Sequence, residues 1–213
     1  MTQSGARQTM HFLKRSRTVG MFSTLLCAAL LSGCVSKLVT SPPPVTYDLA
    51  GLQSAPAVRG RTSAQVLVPE PFALQTLASQ RIVVTRGSLV AYYPNAQYPD
   101  TLPRVVQSRI IQAFEKSKSV RAIGRPGEGL SIDYQLLTNL RTFAFNVTPS
   151  GRFAEIELFA QIMNDRNGKV VEAKVFEASV PVAEDTAPAA VAGLNAALDE
   201  VLKELVAWAV PRL

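Results

Sequence analysis

Apolar and polar positions alternate most regularly between Phe153 and Ile162, where Ala154, Ile156, Leu158, Ala160 and Ile162 occupy every second place. Side chains alternate between the two faces of a strand, so this run predicts a strand with one buried face. The preceding run, Ser131–Thr148, alternates too but changes parity midway. Ile132, Tyr134 and Leu136 lie on one set of positions, whereas Phe143, Phe145 and Val147 lie on the other. A single strand keeps both sets on one face only through a bulge or a bend, predicted near residues 138–142. Lys169–Val180 supplies a third strand, and turns at Pro149-Ser-Gly151 and Asp165-Arg-Asn-Gly168 join the three into a meander. Earlier, Arg81–Thr85 and Leu89–Tyr93 flank Arg86-Gly-Ser88 and predict a hairpin whose second strand stops at Pro94. Shorter strand signals occur at Tyr47–Leu49, Gln65–Pro69 and Arg121–Ile123.

Two segments carry helical spacing instead. Leu102, Val105, Val106, Ile110, Ala113 and Phe114 form one stripe, with Asp100 placed to cap it, Pro103 in its first turn and an end near Ser117. The second begins near Asp185, with Pro188 in its first turn and a stripe of Val191, Leu194, Leu198, Val201, Leu202, Leu205 and Trp208. Ala189, Ala190, Ala192, Gly193, Ala196 and Ala197 make its first half thin enough to lie close against a sheet. The predicted fold class is α+β: a mainly antiparallel sheet with a long three-strand meander and two amphipathic helices packed on one face.

The amino-terminal pattern is of another kind. Arg7, Lys14, Arg15 and Arg17 precede an uncharged run from Val19 to Leu31, and no acidic residue occurs before Asp48. As a helix that run spans about 20 Å, short of the roughly 30 Å hydrocarbon core, so it fits a secretory signal better than a membrane span. It closes on Leu31-Ser32-Gly33-Cys34, an aliphatic residue, two small residues and a cysteine. This is the form of a bacterial lipobox. The small residues admit an extended backbone to a peptidase cleft, and the Cys34 thiol accepts a diacylglyceryl group. The expected organisation is a lipoprotein signal peptide over 1–33, the lipidated Cys34 with a Pro-rich tether over 34–46, and one folded domain over 47–213. Ser41-Pro42-Pro43-Pro44 keeps the tether extended.

Composition changes meaning once the signal is set aside. The chain has 213 residues, a formal charge of +6 and one His. His11 and Cys27 both lie in the signal. Removing its four basic residues from the total of 22 leaves 18 against 16 acidic ones, a formal +2. A nucleic-acid partner therefore loses its electrostatic footing. The mature segment has no His, and its one Cys is committed to lipid, which excludes Ser-His-Asp and Cys-His catalysis and His or Cys metal sites.

The remaining candidate chemistry is sparse. Gly124-x-x-Gly127-x-Gly129 contains Pro126 and leads into a strand, whereas a phosphate-cradling loop opens a helix. Glu155 and Glu157 share a strand face about 7 Å apart, a spacing open to acid–base work but far more commonly one of cross-strand ion pairing. Asp165-x-Asn167-Gly168 begins like a calcium loop, but Phe176 stands where its twelfth-position Glu belongs. Asn146-Val-Thr148 fits a glycosylation acceptor in form only. No catalytic residue, cofactor site or metal site is expected. The tyrosine–proline cluster Tyr92-Tyr93-Pro94 and Tyr98-Pro99 is the candidate partner-binding surface, with closure of the core by one or two of these rings as the alternative.

Several of these segments together resemble a known family. Tyr47-Asp-Leu49, the run Arg81-Ile-Val-Val-Thr-Arg-Gly87 through Ala91-Tyr-Tyr-Pro94, Tyr98-x-Asp100-x-Leu102-Pro103, Val106-Gln-Ser-Arg109, Asp165-x-x-Gly168 and the closing helix from Ala192 to Trp208 are similar to the ABC-type transport auxiliary lipoproteins, the PqiC-like group. The resemblance implies a non-enzymatic, outer-membrane-anchored lipoprotein of a Gram-negative envelope. Its implied partners are an MCE-domain periplasmic protein and, indirectly, an ABC permease and its ATPase, moving lipid between the inner and outer membranes. Val35 follows the cysteine where inner-membrane retention commonly uses Asp, which favours the outer membrane. Self-association into a homo-oligomer suits an interaction module of this kind. A structural lipoprotein of another envelope assembly, Tol-like or secretion-associated, is the alternative.

Overall fold

The structure is a computed structural model that describes residues 43–213; the expected signal peptide and Cys34 lie outside the described residues. The described chain forms a nine-stranded mixed sheet and two helices. Its strands are β1 (Val45–Thr46), β2 (Gln65–Leu67), β3 (Phe72–Ala73), β4 (Arg81–Arg86), β5 (Leu89–Gln97), β6 (Ala122–Gly124), β7 (Tyr134–Thr148), β8 (Gly151–Asn164) and β9 (Val170–Pro181). The helices are α1 (Leu102–Ser117) and α2 (Ala187–Ala209).

β7 is the spine of the sheet. On one edge it pairs antiparallel with β8 along its whole length, and β8 pairs in turn with β9, which gives the expected meander. On its other edge β7 receives β2, β3 and β4 one after another, all parallel. β6 extends the sheet beyond β2, β5 pairs antiparallel with β4, and β1 adds a parallel edge beside β5. The long ladders are antiparallel and the short ones are mostly parallel.

The parity change in β7 is resolved by a register shift between Leu140 and Thr142. Before it, Leu136 and Leu140 stand opposite Ile162 and Leu158; after it, Phe143 and Phe145 stand opposite Ile156 and Ala154. One extra residue therefore keeps Leu136, Leu140, Phe143 and Phe145 on the same buried face. Both helices cover that face, and their predicted stripes are the residues that become buried. Gly193 is the point of closest approach. A Cβ there would lie 2.5 Å from Val182 Cγ2 and 2.9 Å from Ala154 Cβ. At the far end of α2, Trp208 meets Phe176 edge-on at 5.4 Å, and its indole N–H donates to Glu172 at 3.1 Å.

Three expectations are corrected. Pro94 does not stop the hairpin's second strand, which runs on to Gln97. Arg81 pairs with Gln97 but Val83 already pairs with Tyr92, so β5 carries extra residues between the two rungs. Pro94 sits in that bulge, where no ladder hydrogen bond is required, beside Asn95 in the left-handed conformation (φ +53°). The first strand precedes Tyr47 rather than including it, and Leu49 is instead fully buried. Asp100 does not cap α1 from the predicted place. The N-cap is Thr101, whose own side chain makes no capping bond, and the Asp100 carboxylate accepts from the Thr101 amide at 2.6 Å. No helix among the described residues is long and apolar enough to cross a membrane.

Candidate partner-binding site

The structure separates the three candidate tyrosines. Tyr98 leaves the surface altogether. It is 0% exposed, its amide donates to the Gln80 carbonyl at 2.7 Å, and its ring meets Phe143 edge-on at 6.3 Å. Its hydroxyl has no protein partner, and burial pushes the phenol far above its usual pKa. The sequence places it just past a strand end, which is as suited to closing the core as to recognition. Closing the core is what Tyr98 does.

Tyr92 and Tyr93 are adjacent in β5 and face opposite ways. Tyr93 turns toward Phe145, with ring centroids 5.9 Å apart, and its hydroxyl donates to Asp185 Oδ1 at 2.7 Å. Arg86 Nη2 reaches the other oxygen of the same carboxylate at 2.6 Å. Tyr92 lies on the opposite side of the sheet, with its hydroxyl donating to the Thr76 carbonyl and Arg81 stacked 3.8 Å from its ring centre. Cation–π stacking holds both side chains in place while leaving them partly exposed.

The Tyr93–Asp185–Arg86 cluster was not legible in the sequence, because Asp185 lies about a hundred positions from its partners and only the fold brings them together. It fixes the start of α2 against the β4–β5 hairpin. The Tyr93 hydrogen bond, with help from the Arg86 guanidinium, holds the Asp185 carboxyl below the ordinary carboxylate range. Burial and the same hydrogen bond push the Tyr93 phenol up. A carboxylate depressed in the folded state stabilises above its unfolded pKa of about 3.9 and loses that contribution as pH falls through the folded value. Asp185→Asn is therefore expected to lower the melting temperature at pH 7, with the gap from the parent narrowing below about pH 4. Thermal melts across that range check it.

The paired carboxylates are engaged elsewhere. Arg141 Nη1 reaches Glu157 Oε1 at 2.9 Å, and Asn146 Nδ2 donates to Glu155 Oε2 at 3.1 Å. Glu177 pairs with Glu157 across the strands and completes the rim of a shallow cleft of about 280 Å³. Gly124 ends β6, Gly127 and Gly129 supply positive-φ turn positions, and Asn167 Oδ1 accepts from the Lys169 amide within its own turn. Among the described residues no three His, Cys, Asp or Glu side chains gather in a metal-binding group. Apolar surface lies at the start of β9, at Val170 and Val171, and at two further places. One is the β4–β5 hairpin tip, with Leu89 at 60% and Val90 at 46% exposure, and the other is β3 and the turn after it, with Phe72 and Leu74. The sequence signal for the second was a pair of apolar residues in a Pro-flanked, non-periodic stretch, easily read as loop.

The ABC-type transport auxiliary lipoprotein component family matches residues 47–206, almost the whole folded domain. The chain belongs to that family. An uncharacterized protein of Bradyrhizobium diazoefficiens is 34% identical over 166 residues, covering 78% of this chain and 45% of that protein. The chain thus spans less than half the length of this curated relative. The crystal structure of a protein from Xanthomonas campestris shares the fold with a TM-score of 0.73 at 25% identity, covering 79% of this chain and 96% of the other. A hypothetical protein from Chlamydia trachomatis has a TM-score of 0.51 at 9% identity, covering 71% of this chain and 98% of the other, and shares the fold alone.

Proposed function

We propose that this auxiliary lipoprotein is an outer-membrane-anchored periplasmic docking component of an MCE-type ABC system that moves lipid between the inner and outer membranes. The observation that carries the reading is a lipobox joined by a short proline tether to a domain of the auxiliary lipoprotein family, in which no candidate catalytic group is assembled. The role is positional and non-catalytic. Acyl chains on Cys34 hold the protein, the tether sets its reach, and the domain engages an MCE-domain partner, with the permease and ATPase coupled through that partner. Self-association of the domain belongs to the same proposal.

The chain enters the domain at β1, which lies beside Ala96 and Gln97 at one end of the hairpin, whereas Leu89 and Val90 form the other end. The partner contact is assigned to that far end, with Tyr93 behind it. Leu89→Asp costs the core nothing, since the side chain is exposed. Removing a docking anchor of this kind costs about 2 kcal/mol, roughly thirtyfold in affinity. Crosslinking the full chain in envelopes and recovering its partners is the test. An MCE protein is expected with the parent and much less of it with Leu89→Asp. Recovery of Tol-like or secretion components in its place would replace the reading with that of another envelope assembly.

A further inference from the structure

We propose that β3 and the turn after it, with Phe72 and Leu74 at their surface, rest on the bilayer that holds the lipid anchor. Phe72 is 64% exposed and Leu74 65%, the largest exposures among the described large apolar residues. Phe72 is in register with Asn139 on the sheet's outer face, where Asn139 stands opposite Phe159 and Phe159 opposite Val175. Phe72, Phe159 and Val175 thus share one row across that face, with Asn139 between the first two. No helix covers it, because both helices occupy the other face.

The position of the patch relative to the chain's entry selects the occupant. Thr46 pairs with Gln97, and Gln97 pairs with Arg81, so these three residues form one row only about 10 Å across. Arg81 stacks on Tyr92, and Tyr92 bonds to Thr76, two residues beyond Leu74. The domain's entry point and the patch are therefore neighbours, and Val45, the first strand residue, is itself 56% exposed. Eleven residues lie between Cys34 and Thr46, a contour of about 40 Å at most, so an acylated Cys34 keeps this end of the domain close to the lipid surface.

The chemistry agrees. Phe and Leu supply apolar contact, while Arg81 and Tyr92 pair an apolar body with a polar tip, the combination suited to a headgroup boundary. The nearby carboxylate of Glu70 is bonded to Arg104 at 3.4 Å, and that of Glu157 to Arg141. A partner protein is assigned to the opposite hairpin tip, so the two contacts do not compete. The inference rests on the Cys34 acylation reading.

The test uses the full acylated chain reconstituted into phosphatidylethanolamine–phosphatidylglycerol vesicles that contain brominated phosphatidylcholine. Trp208 is the only native tryptophan, is nearly buried, and reports the intact fold. Phe72→Trp and, separately, Leu74→Trp are expected to add an emission that brominated lipid largely removes, whereas Leu89→Trp adds one that it leaves unchanged. Equal emission from both patch variants in brominated and unbrominated vesicles overturns the contact. Shielding from aqueous quencher without quenching by lipid also overturns it and identifies a second copy of the chain as the cover. Failure of the parent chain to remain with the vesicles overturns the anchor reading itself, and the contact with it.

Discussion

Cys34→Ser is expected to produce a protein without acyl mass that no longer fractionates with the outer membrane. Each buried methylene contributes about 0.8 kcal/mol, so one chain gives reversible attachment and two or three long chains give a stable one. Serine cannot form the thioether through which the first two chains are attached. The domain offers little in compensation, since no described helix is suited to span a bilayer and the exposed Phe72 and Leu74 amount to two side chains. Intact-mass measurement of the parent and the variant, beside sucrose-gradient fractionation, decides the matter. A parent that begins elsewhere than Cys34, or a variant with unchanged fractionation, would end the lipoprotein reading of this cysteine.

Replacing Gly193 with leucine is expected to remove about 3 kcal/mol or more of stability. Alanine already raises a conflict. It gains about 1 kcal/mol of helix propensity over glycine, but its Cβ would fall 2.5 Å from Val182 Cγ2 and 2.9 Å from Ala154 Cβ, both closer than van der Waals contact. Overpacking of this kind costs about 1–3 kcal/mol, so Gly193→Ala comes out near neutral or moderately destabilised. Leucine adds three more heavy atoms in the same gap and has no further propensity to gain. Since domains of this size are stable by about 5–15 kcal/mol, the loss is a large share of the total. Urea denaturation should show a lower midpoint with an unchanged slope for leucine and a small shift for alanine. Equal midpoints for all three would mean that α2 moves off β8 without cost.

The contrast between these two sites also marks what the sequence can reveal. The thin first half of α2, the buried face of β8 and the parity change in β7 were all legible, because each is a local pattern of side chains with a fixed period. The bulge between Leu140 and Thr142 follows from counting. What escaped is non-local. β2 and β3 are three and two residues long, and nothing within Gln65–Leu67 or Phe72–Ala73 specifies a parallel partner some 70 positions away on β7. Pro94 ends a strand by its local chemistry, yet here a bulge relieves it of any ladder bond. Tyr98 and Tyr93 each precede a proline, but one is fully buried in the core and the other is half-buried with its hydroxyl on Asp185, a difference set by distant chain. In the candidate site, the tyrosine cluster was visible, while Asp185, Leu89 and Phe72 acquired meaning only through their neighbours in space.

β1 has a mechanical consequence. A load drawn through residue 44 meets first a two-residue edge strand, held by its pairing with Ala96 and Gln97 and by the Tyr47 amide on the Gln97 carbonyl. The next attachment is much firmer: Leu49 fully buried, Asp48 bonded to Arg109 at 2.7 Å, and the Ala50 amide on Asn195 Oδ1 at 2.7 Å. Peeling residues 45–47 therefore lengthens the leash by about 10 Å while the core stays shut. On the proposed reading, with lipid at one end and a partner at the other, the protein has a soft link followed by a hard stop, and so absorbs small changes in the gap it spans without unfolding.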